Sequence, residues 1–200
     1  MELDQKINRM LVESALVAMA SSSEALTLAC ESPIEELFAL TMWARGVWTE
    51  RVEMHHCHTL GSLVHYAKID PSKMYFCAQV TIVGYRVDFV LVEAASGQDD
   101  PSVFAIECDG HDFHEKTKEQ VRKDKARDRA LVAAGCYVLR FSGSEIWANP
   151  VACVDQVLDL VAAKYHQSWE RHSASIMKQF GSFEAFYKFY ETRASGEVAE

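Results

Sequence analysis

The chain has 200 residues, of which 49% are hydrophobic and 24% are charged, and its formal net charge is −9. This length suits one domain with an appended helical piece, and no uninterrupted apolar run approaches the ~20 residues needed to cross a bilayer. The acidic balance argues against a protein that coats nucleic acid non-specifically, because affinity for phosphate rests mainly on lysine and arginine. It does not exclude a nuclease, since metal-binding carboxylates would account for part of the negative charge.

The N-terminus and the cysteines indicate a reduced protein of the cytoplasm. Glu2 and Asp4 precede any apolar stretch, so no signal peptide is predicted. The six cysteines are scattered without a CxxC pair, and several lie in apolar segments, where cysteine behaves as a small hydrophobe. We therefore expect cytoplasmic localisation, reduced thiols and no membrane partner.

The first part of the chain has the spacing of amphipathic helices. Residues 3–20 carry apolar side chains at helical intervals. A second helix is predicted to begin at Ser32, because Ser-Pro-Ile-Glu supplies an N-cap serine, a first-turn proline and, in Glu35, the glutamate of a capping box. The stretch 49–71 is histidine-rich and less regular, with a short helix expected near 60–68.

Strand patterns dominate after residue 73. Residues 74–83 and 85–93 alternate around Gly84, which predicts a hairpin. The remaining predicted elements are a strand over 103–109, a helix over 113–134 ending at Gly135, a strand over 136–142, and helices over 151–167 and 173–193. This order predicts an α/β (mixed α+β) fold with a central mixed four-stranded sheet flanked by helices.

Three carboxylates occur at positions that could bring them together. Asp88 lies in the middle of a predicted strand, and Glu107 and Asp109 end the next one. Because side chains alternate along a strand, Glu107 and Asp109 share one face. Each carboxylate alone is better explained as a structural residue that caps or pairs with the following helix. The trio instead favours a site for Mg²⁺ or Mn²⁺, which prefers oxygen ligands and compensates buried negative charge.

Several short segments match a known family in order and spacing. They are 32–35, 86–89, 106–110 followed by His114, then Asp124, Arg127 with Asp128, Leu131 and Gly135, and finally 138–141. On these segments, residues 32–160 resemble the endonuclease-domain family related to very-short-patch repair enzymes, a branch of the PD-(D/E)XK, or restriction-endonuclease-like, superfamily. The resemblance implies a single domain over 1–200, with a nuclease-like core over 32–160. It leaves an N-terminal helical extension over 1–31 and a C-terminal one over 161–200 that ends in a frayed tail.

The resemblance also implies a function and a set of site residues. The function is a Mg²⁺- or Mn²⁺-dependent endonuclease that hydrolyses phosphodiester bonds of DNA, with RNA left open. Asp88 and Glu107 would be metal ligands, and Glu35 would be an outer metal contact, although the capping box explains Glu35 equally well.

One position departs from the superfamily pattern. Asp109 stands where the pattern has a lysine that positions the attacking water or stabilises the developing charge. A basic residue of 116–125 could replace this lysine, or His111 or His114 could act, with His114 favoured as a general acid or base. The alternative is a catalytically inactive nuclease-like domain that binds nucleic acid or a protein partner.

Three further patterns have both a functional and a structural explanation. Four basic residues of the long helix lie on one face, which suits either a phosphate backbone or ordinary solvation: Lys118, Arg122, Lys125 and Arg129. A histidine cluster could bind zinc, but a loop or helix-end cluster is favoured because its spacing matches no zinc finger: His55, His56, Cys57, His58 and His65. C-terminal aromatic residues at helical spacing are expected to pack on the core or on a second subunit, which leaves a homodimer open: Phe180, Phe183, Phe186, Tyr187 and Tyr190.

Overall fold

The computed structural model describes residues 29–49, 52–55, 59–94, 101–110 and 117–194. The predicted helix over 3–20 lies outside this part of the chain, as do His56, Cys57, His58, His111 and His114. None of the helices that are described combines the length and the apolar character needed to span a membrane.

Helices and strands alternate along the described chain. Their bounds are α1 Pro33–Thr49, β1 Val52–Met54, α2 Leu60–Ile69, β2 Met74–Ile82, β3 Tyr85–Glu93, β4 Ser102–Asp109, α3 Lys118–Ala133, β5 Cys136–Ser142, α4 Gly143–Ala148, α5 Pro150–Phe180 and α6 Phe183–Ala194. The predicted short helix, the hairpin and the last two predicted strands are therefore confirmed, with ends that differ by a residue or two.

The strands form one five-stranded sheet in the order β1-β2-β3-β4-β5. The two outer pairs, β1–β2 and β4–β5, are parallel, and the inner pairs are antiparallel. The predicted mixed sheet flanked by helices is confirmed, but the prediction of four strands is wrong. β1 has only three residues, all partly buried, so it is too short for an alternating pattern and depends on its pairing with β2.

Two helix boundaries also differ from the predictions. α3 begins at Lys118, later than predicted, because Thr117 and Gln120 form a capping box there. α5 continues to Phe180 without the predicted break between 167 and 173. Its end is set by Gly181, whose φ of 76° is a left-handed conformation that glycine adopts without strain.

The sheet has a hydrophobic core on each face. Phe38 and Met42 of α1 and Val157 of α5 pack against one face, which includes Phe89 and Ile106. On the other face, Leu63 of α2 and Leu131 of α3 pack against Val90 and Ala105. Because both faces are covered, the central strands are almost continuously apolar, and a carboxylate within them is exceptional.

The C-terminal aromatic residues pack largely against one another, between the end of α5 and α6. The ring of Phe180 lies 5.3 Å from those of Phe186 and Phe189, and Trp169 stacks on Phe183 at 6.3 Å. Tyr187 is exposed. The helical spacing thus corresponds to packing within a helical hairpin, and a homodimer stays a prediction, as does the division into core and extensions.

Candidate active site

Asp88 of β3 and Glu107 of β4 lie where the pairing of these two strands ends. The antiparallel register pairs Phe89 of β3 with Ile106 of β4, and its continuation sets Asp88 opposite Glu107. At this point the Asp88 carboxylate takes the place of a backbone acceptor, since the backbone N–H of Cys108 donates to Asp88 Oδ2 at 2.8 Å. The side chain therefore satisfies a backbone group and holds β3 and β4 together where their pairing ends.

Glu107 is a buried carboxylate that pairs with an arginine of the long helix. Its side chain is 3% exposed, and Arg127 of α3 donates from Nη2 to Glu107 Oε1 at 2.5 Å. The same nitrogen also donates to the backbone carbonyl of Arg86. Burial raises the pKa of Glu107 to about 8, and Asp88 adds to the rise, whereas Arg127 and Arg140 oppose it. One guanidinium nitrogen shared with a carbonyl therefore compensates the buried charge only in part.

The environment of Asp88 also raises the pKa of its carboxyl group. Burial raises its pKa, and the carboxylates of Glu35 and Asp109 add to the rise, while the Cys108 N–H and Arg127 lower it. Two neighbouring carboxyl groups thus lie where the β3–β4 pairing ends, and burial disfavours the ionised form of each. A pair of this kind is typical of a functional site, although structural networks also produce it.

Asp109 is held by an arginine of the neighbouring strand. Arg140 of β5, paired in register with Glu107, donates from Nε and Nη2 to the two Asp109 oxygens at 2.9 and 2.7 Å. Its Nη1 donates to Asp128 of α3 at 2.8 Å. These contacts raise the pKa of Arg140 above its usual range. The aspartate at the lysine position is therefore neutralised in a two-pronged ion pair.

Glu35 lies at the start of α1 with its carboxylate almost fully buried, at 7% exposure for the residue. Ser32 Oγ accepts from the Glu35 N–H at 3.3 Å and donates to Glu35 Oε1 at 2.9 Å, so the predicted N-terminal cap is present. Glu35 Oε2 accepts from the Glu31 N–H at 2.9 Å and from Gln79 Nε2 at 2.8 Å. The capping role thus has direct contacts, and an outer metal contact stays a prediction.

The basic face of α3 lies away from these carboxylates. Arg127 and Leu131 face the sheet, and at about 100° per residue the opposite side of the helix carries the exposed side chains of Lys118, Arg122, Lys125 and Arg129. A helix is roughly 10 Å across with its side chains. The structure therefore does not bring the predicted nucleic-acid-binding residues next to Asp88 and Glu107.

Of the histidines named as candidate site residues, some lie in the described part of the chain and others lie outside it. The ring of His55 lies 4.6 Å from that of Tyr66 and 5.0 Å from that of Tyr75, which explains its position by aromatic packing. His56, Cys57 and His58 of the predicted cluster and His114 fall outside the described residues, whereas His65 lies on α2 and is exposed. A zinc site there and a proton-transfer role of His114 stay predictions.

The carboxylates of Asp88 and Glu107 are compatible with a divalent ion that takes only one or two ligands from the protein. Within the residues that the structure describes, no group of three or more His, Cys, Asp or Glu side chains is arranged to hold a metal. Mg²⁺, however, usually takes one or two carboxylates and keeps several waters. Asp88 and Glu107 are hard oxygen donors whose buried charge is incompletely compensated, so the pair matches that requirement.

Two arginines and a glutamine of this region were not predicted in the roles that they have here. Arg140 contacts Asp109 and Asp128, and Arg127 contacts Glu107. The spacing of Arg127 and Leu131, one helical turn apart, could have indicated that Arg127 faces the sheet. No local signal pointed to Gln79, because its contact with Glu35 spans 44 residues.

Comparison with known families supports a restriction-endonuclease-like domain in this part of the chain, a class that implies interaction with nucleic acid. The family model REase_MTES_1575 matches residues 66–161, a range that includes Asp88, Glu107, Asp109, Arg127 and Arg140. No curated protein and no solved structure matches the chain significantly. The match supports the restriction-endonuclease-like class and does not extend to the very-short-patch repair branch.

Proposed function

We propose that this protein is a metal-dependent endonuclease that hydrolyses phosphodiester bonds of DNA. The observation that carries the proposal is the pair of partly buried Asp88 and buried Glu107, which lies with Arg127 where the pairing of β3 and β4 ends in a restriction-endonuclease-like domain. Two neighbouring carboxyl groups whose pKa values are raised by burial have a high electrostatic cost when ionised. Binding of a divalent cation would offset that cost and give the arrangement a chemical purpose.

Asp88 and Glu107 would hold Mg²⁺ or Mn²⁺. When bound, such an ion acts as a Lewis acid on phosphate oxygens and lowers the pKa of a bound water. Glu107 must be ionised to serve as a ligand, so loading of the site depends on its deprotonation. The Cys108 N–H holds Asp88 in place, because it donates to one carboxylate oxygen and thereby orients the group.

Arg127 is the best candidate to replace the missing lysine. Its Nη2 contacts Glu107, and its Nε is buried without a hydrogen-bond partner among the described residues. The Arg127 side chain is also 22% exposed beside the carboxylates, so its guanidinium could bind a phosphate oxygen, because its planar donors match phosphate geometry. Arg127 would thereby stabilise the negative charge that develops on the phosphate.

Asp109 and Arg140 would have a supporting role. Their two-pronged ion pair and the contact with Asp128 tie β4, β5 and α3 together beside Glu107. His114 follows β4 closely in sequence and would supply proton transfer or a phosphate contact. The basic face of α3 would attract DNA electrostatically from outside the carboxylate site.

The direct test is cleavage of labelled single- and double-stranded DNA, and of matching RNA, with Mg²⁺, Mn²⁺ or EDTA. Wild type is expected to cut in a metal-dependent manner, and Glu107→Gln to lose at least about a hundredfold in rate. Glu184→Gln, an isosteric change at an exposed position of α6, is the matched control and should cut normally. Equal inactivity of folded wild type and Glu107→Gln on every substrate would reject the proposal.

A second candidate is a nuclease-like domain that binds nucleic acid or a protein partner without cutting. The pairing of Glu107 with Arg127 and of Asp109 with Arg140 favours it, since both carboxylates already have cationic partners. This candidate predicts that DNA binding is unaffected by EDTA and by Glu107→Gln. Binding without cleavage in the same assays would select it over the endonuclease.

A further inference from the structure

The sheet is locally distorted next to the carboxylate pair. Ala78 of β2 pairs with Phe89 of β3, and Val80 pairs with Val87, but the intervening Gln79 is not paired in the ladder. Its partner by register would be Asp88. Gln79 has a φ of 56°, in the left-handed region that residues other than glycine seldom adopt, and least of all within a strand. The distortion therefore coincides with the position opposite Asp88.

This distortion changes which way the side chains of β2 point. Phe76 and Ala78 belong to the core on the α1 side of the sheet, whereas Val80 and Ile82 belong to the core on the other side. In a regular strand, all four would share a face. The change of face occurs at Gln79, whose side chain turns towards α1 and Glu35. Local breaks of this kind re-aim side chains beside functional sites.

The amide of Gln79 connects the strand to Glu35. Its Nε2 donates to Glu35 Oε2 at 2.8 Å. Its Oε1 is buried and accepts no hydrogen bond within the described part of the chain. A glycine would adopt the same backbone conformation with less strain, but it would lack the contact with Glu35. The structure thus combines backbone strain with a side chain that reaches into the carboxylate region.

We infer that Gln79 is a positioning residue of the proposed metal centre. It holds the Glu35 carboxylate through its amide, and through the break in the ladder it sets the direction of the strand opposite Asp88. This inference rests on the proposed endonuclease function. It predicts that the Gln79 side chain is required for cation binding even though the backbone would be less strained without it.

The test compares two substitutions that relieve the same kind of strain. Gln79→Gly removes the side chain at the site, and Val83→Gly relieves the left-handed conformation of Val83, with a φ of 44°, in the exposed hairpin turn. Each full-length variant is titrated with Mn²⁺, melted thermally and assayed for cleavage. Both are expected to melt at or above the wild-type temperature. Gln79→Gly alone should lose ten- to a hundredfold in Mn²⁺ affinity, as loss of an outer partner typically does.

Kinetics and a double variant separate positioning from a simple packing role. Gln79→Gly should lower kcat while leaving the KM for DNA unchanged, because the Gln79 amide contacts Glu35 and its Oε1 is buried, so that DNA would not touch it. If Gln79 acts through Glu35, the variant with both Gln79→Gly and Glu35→Gln should bind Mn²⁺ no more weakly than the weaker single variant. Additive losses would overturn a role through Glu35.

The outcomes also separate this inference from the proposed function. If wild type binds Mn²⁺ and cuts DNA, but Gln79→Gly equals Val83→Gly in affinity and kcat, the role of Gln79 is rejected and the endonuclease stands. If wild type neither binds Mn²⁺ nor cuts, and Glu107→Gln behaves identically, both proposals are rejected. A loss confined to Gln79→Gly at undiminished melting temperature supports the inference.

Discussion

Two arginine–carboxylate pairs lie side by side in this protein and differ in how completely each charge is compensated. Arg140 uses Nε and Nη2 on the two oxygens of Asp109 and its remaining nitrogen on Asp128. Arg127 reaches one oxygen of Glu107 through a single nitrogen, which it shares with a backbone carbonyl, and its Nε is buried without a partner among the described residues. The first pair is geometrically complete, and the second is not.

Because of this difference in compensation, the pair of Arg140 and Asp109 is suited to a structural role, whereas the pair of Arg127 and Glu107 is suited to exchange partners. Breaking a buried pair with two parallel hydrogen bonds leaves a desolvated charge behind, which is strongly destabilising. A carboxyl group with a raised pKa can instead take up a proton when its partner leaves. Glu107 and Arg127 can therefore separate at lower cost than Asp109 and Arg140, as binding of a cation and a phosphate would require.

The largest expected effect is the loss of DNA cleavage in Arg127→Met, which tests the difference between the two pairs. If Arg127 replaces the missing lysine, the variant should cut DNA about a hundredfold more slowly than wild type, with a change in unfolding free energy of about 1 kcal/mol or less. Cleavage assays and urea denaturation measure the two quantities. Arg127→Lys should keep part of the rate, and a full rate in Arg127→Met would remove Arg127 from the mechanism.

The pH dependence of stability is the next effect. The pKa of Glu107 is about 8 in the folded protein against 4.5 ordinarily, so between these values the folded state binds the proton and the unfolded state does not. The free energy of unfolding should then fall as the pH rises from about 4.5 to 8, by up to about 1.4 kcal/mol per pH unit.

The raised pKa of Asp88 also makes the free energy of unfolding fall as the pH rises. Urea titrations of wild type and Glu107→Gln across this range would show the Glu107 part of the slope disappearing in the variant. Saturating Mg²⁺ should flatten the slope in wild type, because metal competes with the proton. Stability that rises with pH in both proteins would contradict the incomplete compensation of Glu107.

Arg140→Met tests the structural pair. Removing the guanidinium leaves the partly buried carboxylates of Asp109 and Asp128 without it, so the free energy of unfolding should fall by about 2 kcal/mol, more than for Arg127→Met. Urea denaturation of the two variants under identical conditions makes the comparison. An equal or larger loss in Arg127→Met would mean that the two pairs do not differ in the proposed way.

The smallest effects are expected on the outer face of α3. Lys125→Gln and Arg129→Gln should weaken DNA binding modestly and uniformly across sequences. Each should lower the slope of log affinity against log salt by about 1 or less. Lys123→Gln is the matched control, since Lys123 lies on another side of the helix and pairs with Glu119 at 3.3 Å. Unchanged salt slopes in all three variants would identify this face as solvated surface.

Much of the fold could be predicted from the sequence because its signals are local. The hairpin around Gly84, the strand Cys136–Ser142 and the start of α1 at Ser32 follow from alternation and capping over a few residues. β1 was not predicted because a strand of three residues is too short to show a periodic pattern. The continuation of α5 to Phe180 was missed, although the helix contains no glycine and the first glycine after Pro150 is its C-cap, Gly181.

For the candidate site, the sequence by itself determined which carboxylates are available and which of them share a face. Alternation along β4 was enough to set Glu107 and Asp109 on the same side of the sheet. Only the tertiary structure decided their partners: Arg127 for Glu107, Arg140 for Asp109, and Gln79 for Glu35. These contacts join residues 20 to 44 positions apart, and such pairings depend on strand register, helix packing and a kink in β2 that short-range periodicity does not encode.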